Sequence, residues 1–222
     1  MALWRAVLAL TGGLRVHGTD GLPPGPCVIV ANHSSHADTA ALIAALSARR
    51  RPTVAAAADY WFRGGIRPAI CRALCAAFPV RRSGGGSADL AAAARLLATG
   101  HDVIVFPEGP RSRDGRTGDF HRGAARLAAA AGAPLVPAGI SGTRTLLPPG
   151  VPPRPRRSAV TVRFGVPLLA SPLGGSETGE AMAEARAQVV TLVALGGAAS
   201  RLRPGYGGPP SPGRPSLWWM RY

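Results

Sequence analysis

The feature that most restricts this chain's fold is a set of short apolar runs, each of strand length and each followed by polar or turn-forming residues. Residues 27–31 (CVIVA) and 102–106 (DVIVF) show no alternation of apolar and polar positions. Such strands are buried on both faces, which requires helices above and below the sheet and favours parallel pairing. Residues 134–140 (PLVPAGI) repeat the pattern, 53–57 and 78–80 are weaker versions, and 159–164 alternate Val160, Val162 and Phe164. Between them, helical patterns are expected over 38–48, 67–77, 121–131 and 180–195, and over 87–100 with Ser87 as N-cap and Gly100 as terminator. Alternating strands and helices predict an α/β fold, a mostly parallel layered sheet flanked by helices. A single domain over 21–200 accommodates it, after an N-terminal helical segment (1–20) and before an Arg/Pro/Gly-rich tail (201–222) expected to be disordered.

The opening run MALWRAVLALTGG is shorter than the ~20 apolar residues a membrane span needs, and Arg5 interrupts it. It reads as no signal peptide. Two roles stay open: a helix lying in a membrane interface with Trp4 and the leucines inserted, or one packed on the protein's own core. The 26 basic residues against 11 acidic ones are all arginine, giving a formal charge of +15. Such a surface suits anionic membranes, acidic carrier proteins, coenzyme phosphates or nucleic acid. Cys27, Cys71 and Cys75 form no paired framework and lack further ligands at metal spacing, so they read as reduced packing residues of a cytoplasmic protein.

Chemistry is concentrated where two of the strands end. CVIVA runs into Asn32-His-Ser-Ser-His-Ala-Asp38, at the strand edge where open α/β sheets bind ligands. His33 and Asp38 would stand ~140° apart on an unbroken helix and could not meet. A turn at Ser34-Ser35, with the helix starting there, would let Asp38 accept the imidazole Nδ1–H and leave Nε2 as a base. The spacing from Ser35 to Asp38 equally fits a helix-capping box. His36 is a rival base, but two residues before Asp38 it does not face that carboxylate on a helix. The second cluster, Phe106-Pro-Glu-Gly-Pro-Arg-Ser112, follows DVIVF. Arg111, with Arg81 or Arg82 from the glycine-rich loop, offers bidentate phosphate binding, and Glu108 can accept hydrogen bonds from hydroxyls.

These blocks resemble the glycerol-phosphate and 1-acylglycerol-3-phosphate acyltransferases. Asn32, His33 and Asp38 match the family's Asn-His-x4-Asp motif, and residues 106–112 match Phe-Pro-Glu-Gly-Thr-Arg-Ser except that Pro110 replaces threonine. Residues 76–82 resemble the block between them, with Ala76 where glycine is usual, and 136–140 resemble the Val-Pro-x-x-Ile strand with Pro137 as its proline. The likeness spans roughly 18–166. It implies His33 and Asp38 as the catalytic pair, and Arg82, Glu108, Gly109, Arg111, Ser112 and Pro137 as substrate-binding residues. It further implies acyl-CoA or acyl carrier protein as donor, a lysophospholipid as acceptor and no other cofactor. An anionic membrane is the expected surface, on the inner face of the cell membrane.

Rival readings fare worse. Residues 139–143 (GISGT) lack the Gly-x-Ser-x-Gly spacing of a hydrolase nucleophile, and a chain without lysine holds no Walker phosphate loop. Transfer to another lipid or glycolipid acceptor stays open, as does a non-enzymatic basic membrane-binding protein. No nucleic-acid module is recognisable among the scattered arginines.

Overall fold

The computed structural model describes residues 1–81, 86–150, 156–169 and 176–201. Arg82 and residues 202–222 therefore lie outside the described residues. In chain order the elements are α1 (Ala2–Leu10), β1 (Leu14–His17), β2 (Val28–Ala31), α2 (Ala37–Ala45), β3 (Thr53–Ala57), α3 (Ala58–Trp61), α4 (Arg67–Cys75), β4 (Ala77–Val80) and α5 (Gly86–Ala98). Then follow β5 (Val103–Val105), α6 (Gly123–Ala131), β6 (Leu135–Ser141), α7 (Thr143–Leu146), β7 (Val160–Phe164) and α8 (Ser176–Arg201). The strands form one sheet in the order β1-β7-β6-β2-β5-β3-β4. Among these strands every described pairing is parallel except that of β6 with β7, and an isolated antiparallel bridge joins Leu135 to Leu168. The fold is the mostly parallel, helix-flanked sheet that the apolar runs predict.

The burial of CVIVA explains its composition. All five residues are fully buried, and the strand pleat sends them alternately to two cores. Cys27, Ile29 and Ala31 face the layer that holds α1, α2 and α4. Val28 and Val30 face the layer of α5, α6 and α8. A polar residue at any of these positions would have no solvent side to turn toward.

Three local readings differ from the structure. Ser87 lies inside α5, whose first turn begins at Gly86, so it is not the cap. The α4 helix stops at Cys75, because Ala76 adopts a left-handed conformation (φ 47°, ψ 37°). This is the position where the related motif carries glycine, and an L-residue there costs roughly 1–2 kcal/mol. The edge strand β1 was not foreseen, since LRVH is half-exposed and has no apolar run to mark it.

Beneath the sheet, at the amino-terminal ends of β2 and β5, Asp102 is buried and holds several segments together. Its carboxylate accepts the backbone N–H of Cys27 at 3.1 Å and forms an ion pair with Arg50, which also donates to the carbonyls of Pro23 and Gly25. Burial, followed by the charge of Asp102, pushes the Cys27 thiol up to about 12. It is a packing residue with no accessible thiolate at neutral pH.

Candidate active site

β2 and β5 are neighbours in parallel register, Val30 beside Val105, so the segments leaving their carboxyl ends emerge side by side. This juxtaposition joins two polar blocks that are 75 residues apart in sequence. Asn32, the first residue after β2, anchors the rim by exchanging two hydrogen bonds with Ile140 on β6. Its amide nitrogen donates to the Ile140 carbonyl at 3.0 Å, and its oxygen accepts the Ile140 N–H at 2.8 Å. The side chain thus replaces a backbone rung where β2 has ended.

His33 and Asp38 meet because α2 starts only at Ala37, leaving His33 in the preceding turn and Asp38 in the first helical turn. The His33 Nδ1 lies 2.9 Å from Asp38 Oδ2. The same oxygen accepts the backbone N–H groups of Ser34 and Ser35, both at 2.7 Å. Asp38 is fully buried, while the His33 side chain keeps 14% of its surface exposed. An acceptor-only carboxylate at Nδ1 selects the tautomer with the proton there, and Nε2 is left without a partner among the described residues. Ser35, also buried, accepts the Ala37 N–H at 3.1 Å and donates to the Leu147 carbonyl at 2.8 Å, fixing the start of α2.

The second block grips His33 by its main chain. Glu108 accepts the His33 N–H at 2.9 Å, and the Ser112 N–H donates to the His33 carbonyl at 2.8 Å. Phe106 lies under the imidazole with ring centroids 4.0 Å apart and planes at 17°. Backbone, ring plane and tautomer of His33 are therefore all fixed by other residues, the preorganisation that proton transfer rewards. Phe106 went unassigned in the sequence reading because an aromatic at the end of a strand looks like ordinary core.

The remaining predicted residues have varied places. The other oxygen of Glu108 accepts the Gly118 N–H at 2.8 Å, so this carboxylate ties two loops together. Gly109 supplies a left-handed turn (φ 81°). The Ser112 hydroxyl donates to Asp114 at 2.9 Å and accepts the Gly115 N–H, shaping its own loop. Arg111 comes to the first block, with Nη1 2.7 Å from His36 Nδ1. Pro137 is buried within β6, level with Val30, below the rim. Arg81 pairs with Asp89, 3.1 Å away, whose carboxyl is held below the usual range chiefly by the Arg81 backbone N–H. Arg144, overlooked in the sequence, donates to the carbonyls of Ser112 and Arg113 and so pins the second block from α7. Beside Glu108 opens a cleft of about 490 Å³, lined in part by Pro110, Arg113 and Arg116.

Comparison with known proteins gives a consistent result. The family profile described as Acyltransferase matches residues 13–141. The 1-acyl-sn-glycerol-3-phosphate acyltransferase BAT2, chloroplastic, of Brassica napus is 32% identical over 143 residues, covering 61% of this chain and 39% of that protein. The human 1-acyl-sn-glycerol-3-phosphate acyltransferase alpha is 32% identical over 126 residues, covering 56% and 44% respectively. The chain thus spans less than half the length of these curated relatives. Among solved structures, the 1-acyl-sn-glycerophosphate (LPA) acyltransferase PlsC of Thermotoga maritima superposes with a TM-score of 0.67, at 23% identity, over 87% of this chain and 76% of that one. At that identity the likeness is one of fold.

Proposed function

The chain belongs to the acyltransferase family, and from that premise we propose that it acylates the free hydroxyl of 1-acylglycerol-3-phosphate, giving phosphatidic acid. The donor is a thioester, acyl-CoA or acyl carrier protein. The observation that carries this reading is the His33–Asp38 pair at the sheet rim, with Nε2 of His33 unpartnered among the described residues and the Arg111 guanidinium on the adjoining segment.

In this mechanism His33 Nε2 takes the proton of the acceptor hydroxyl as its oxygen attacks the thioester carbonyl carbon. The C–S bond then breaks, and the leaving thiolate recovers the proton from the imidazolium. Asp38 holds the ring and offsets its transient charge, and general-base assistance of this kind is typically worth ~10²–10⁴-fold. Arg111 takes the acceptor's phosphate through its planar fork. Arg82, carried over from the family motif, assists it in this reading. No cofactor beyond the donor is needed for the transfer as written.

The same proposal attaches the protein peripherally to an anionic membrane, on the inner face of the cell membrane. Among the described residues no helix is long and apolar enough to cross a bilayer. Leu8 of α1 is buried in the core and Arg5 donates to the Ala44 carbonyl, so one side of α1 is fixed to the protein. Leu3, Val7 and Leu10 point outward. Of the two roles open to Trp4, insertion or packing on the protein, the structure shows a contact within the protein: its indole N–H donates to the Leu74 carbonyl of α4 at 2.7 Å. It thereby joins α1 to a second exposed stripe, Ile66, Ile70 and Leu74.

The deciding experiment is a matrix of donors and acceptors with mass-spectrometric identification of products, run on wild type, His33→Ala and Arg111→Ala. Lysophosphatidate is expected to be the best acceptor, His33→Ala to abolish transfer, and Arg111→Ala to raise acceptor KM far more than donor KM. A monoacylglycerol used as well as lysophosphatidate would overturn the assignment of the acceptor.

A further inference from the structure

The turn that carries His33 also presents a second imidazole, and its contacts connect it to the other polar block. His36 Nδ1 lies 2.7 Å from Nη1 of Arg111. A guanidinium has donors and no acceptor, so this is a hydrogen bond only when Nδ1 is bare. His36 must then be neutral, with its proton on Nε2. The edge of Trp61 stands against the ring, with centroids 6.1 Å apart and planes at 87°. Two histidines three positions apart therefore require opposite tautomers. His33 turns Nδ1–H to a carboxylate, and His36 turns a bare Nδ1 to an arginine.

We propose that His36 is a positioning residue for the acceptor phosphate: the neutral ring holds the Arg111 guanidinium beside the His33–Asp38 pair, and protonation of the ring releases it. This rests on the reading in which Arg111 binds that phosphate. An arginine has several rotatable bonds, and recognising phosphate in a bidentate manner requires its plane to be fixed. Holding the fork in place before the ligand arrives removes part of the ordering cost of binding.

The charged groups acting on the His36 ring are Arg111 from the segment after β5, His33 from the same turn and Asp38 from α2. Partial burial, then Arg111, then His33 lower its pKa below the ordinary 6.5, with Asp38 opposing them. The neutral form therefore prevails at pH 7, and it is lost as the pH falls through that lowered value. Acceptor capture should weaken on the acid side while donor capture does not follow.

The test compares His36→Phe, which keeps an aromatic edge for Trp61 but removes the acceptor, with His36→Asn, whose amide oxygen sits near the position of Nδ1. For His36→Phe the expected change is a rise of about tenfold in KM for lysophosphatidate, the scale of a lost hydrogen bond to a charged group, without a matching rise for the donor. His36→Asn should recover most of this and flatten the acid rise in acceptor KM. The acceptor phosphate titrates in both proteins, so the difference between the profiles isolates His36. Nitrogen-15 NMR of the imidazoles gives a readout independent of turnover: a neutral Nε2–H ring at pH 7.5, with a pKa that rises in Arg111→Ala. A protonated or Nδ1–H ring, or superimposable pH profiles for wild type and His36→Asn, overturns the proposal. If Arg111→Ala raises acceptor KM and His36→Phe does not, the proposal alone falls. If Arg111→Ala leaves acceptor KM intact, the phosphate reading fails and this proposal fails with it.

Discussion

Glu108 accepts the backbone N–H of His33 at 2.9 Å, and its other oxygen accepts the N–H of Gly118 at 2.8 Å. This carboxylate aligns the base from behind, so its removal should be felt in kcat. We expect Glu108→Ala to lower kcat by about 10²-fold, the scale of an ångström-sized misplacement of a reacting group. Glu108→Gln, which keeps one acceptor but turns an amide N–H₂ toward a donor, should fall in between. A loss confined to acceptor KM would show instead that Glu108 binds the acceptor's hydroxyls directly.

Buried Asp102 forms an ion pair with partly exposed Arg50 beneath the sheet, far along the strands from His33. Asp102→Ala should cost about 3 kcal/mol, because it removes the anionic partner of Arg50 and leaves the buried Cys27 N–H unsatisfied. For a chain of this size that corresponds to a fall of roughly 6–12 °C in Tm. Adding Arg50→Met should restore part of the loss. If the single variant melts like the wild type, the pair is not a clamp.

Ala76 pays a left-handed strain that glycine would not, although glycine loses more freedom on folding. The net expectation for Ala76→Gly is a gain of about 0.5–1 kcal/mol, visible as a small rise in Tm. Ala76→Val should be destabilised. A lower melting temperature for the glycine variant would refute the strain account.

The three cysteines should resist alkylation in the folded protein at pH 8. Burial pushes Cys27 up to about 12 and Cys75 up to about 11, and it raises Cys71 as well. Mass spectrometry after iodoacetamide treatment should find all three modified only once denaturant is present. Because the folded-state pKa of Cys27 exceeds its ordinary 9.0, the thiol's stabilising contribution is complete below pH 9 and fades as pH rises toward 12. Rapid labelling of native Cys27 would contradict the buried cluster.

Vesicle binding should depend on the two outward stripes of α1 and α4. Replacing Leu3, Val7 and Leu10 with glutamate should sharply reduce co-sedimentation with anionic vesicles, and adding Ile66→Glu and Ile70→Glu should abolish what remains at high salt. The ionic part decays within a Debye length of ~8 Å, so wild-type binding should weaken with salt but persist through apolar insertion. Circular dichroism of each variant checks that the fold survives. Undiminished binding by the five-residue variant would place the docking surface elsewhere.

The sequence by itself determined the layers of this protein. Runs such as CVIVA and DVIVF leave no face for water, so burial between helices follows from hydrophobicity and the strand pleat alone. It also marked His33 and Asp38, since a strand end followed by a helix start brings residues five apart together locally. What it left undecided depends on contacts over long separations, which spacing does not encode. That β2 and β5 are neighbours fixes the meeting of His33 with Glu108, Ser112 and Phe106. The packing of α3 and the segment after β5 around one turn fixes the pairing of His36 with Arg111. The antiparallel direction of β7 and the existence of β1 were likewise settled by pairing partners, because alternation marks a strand without its direction and the edge strand β1 is half-exposed with little periodic signal. The residues able to do chemistry were therefore legible one by one, and only the assembled sheet decided which of them act on one another.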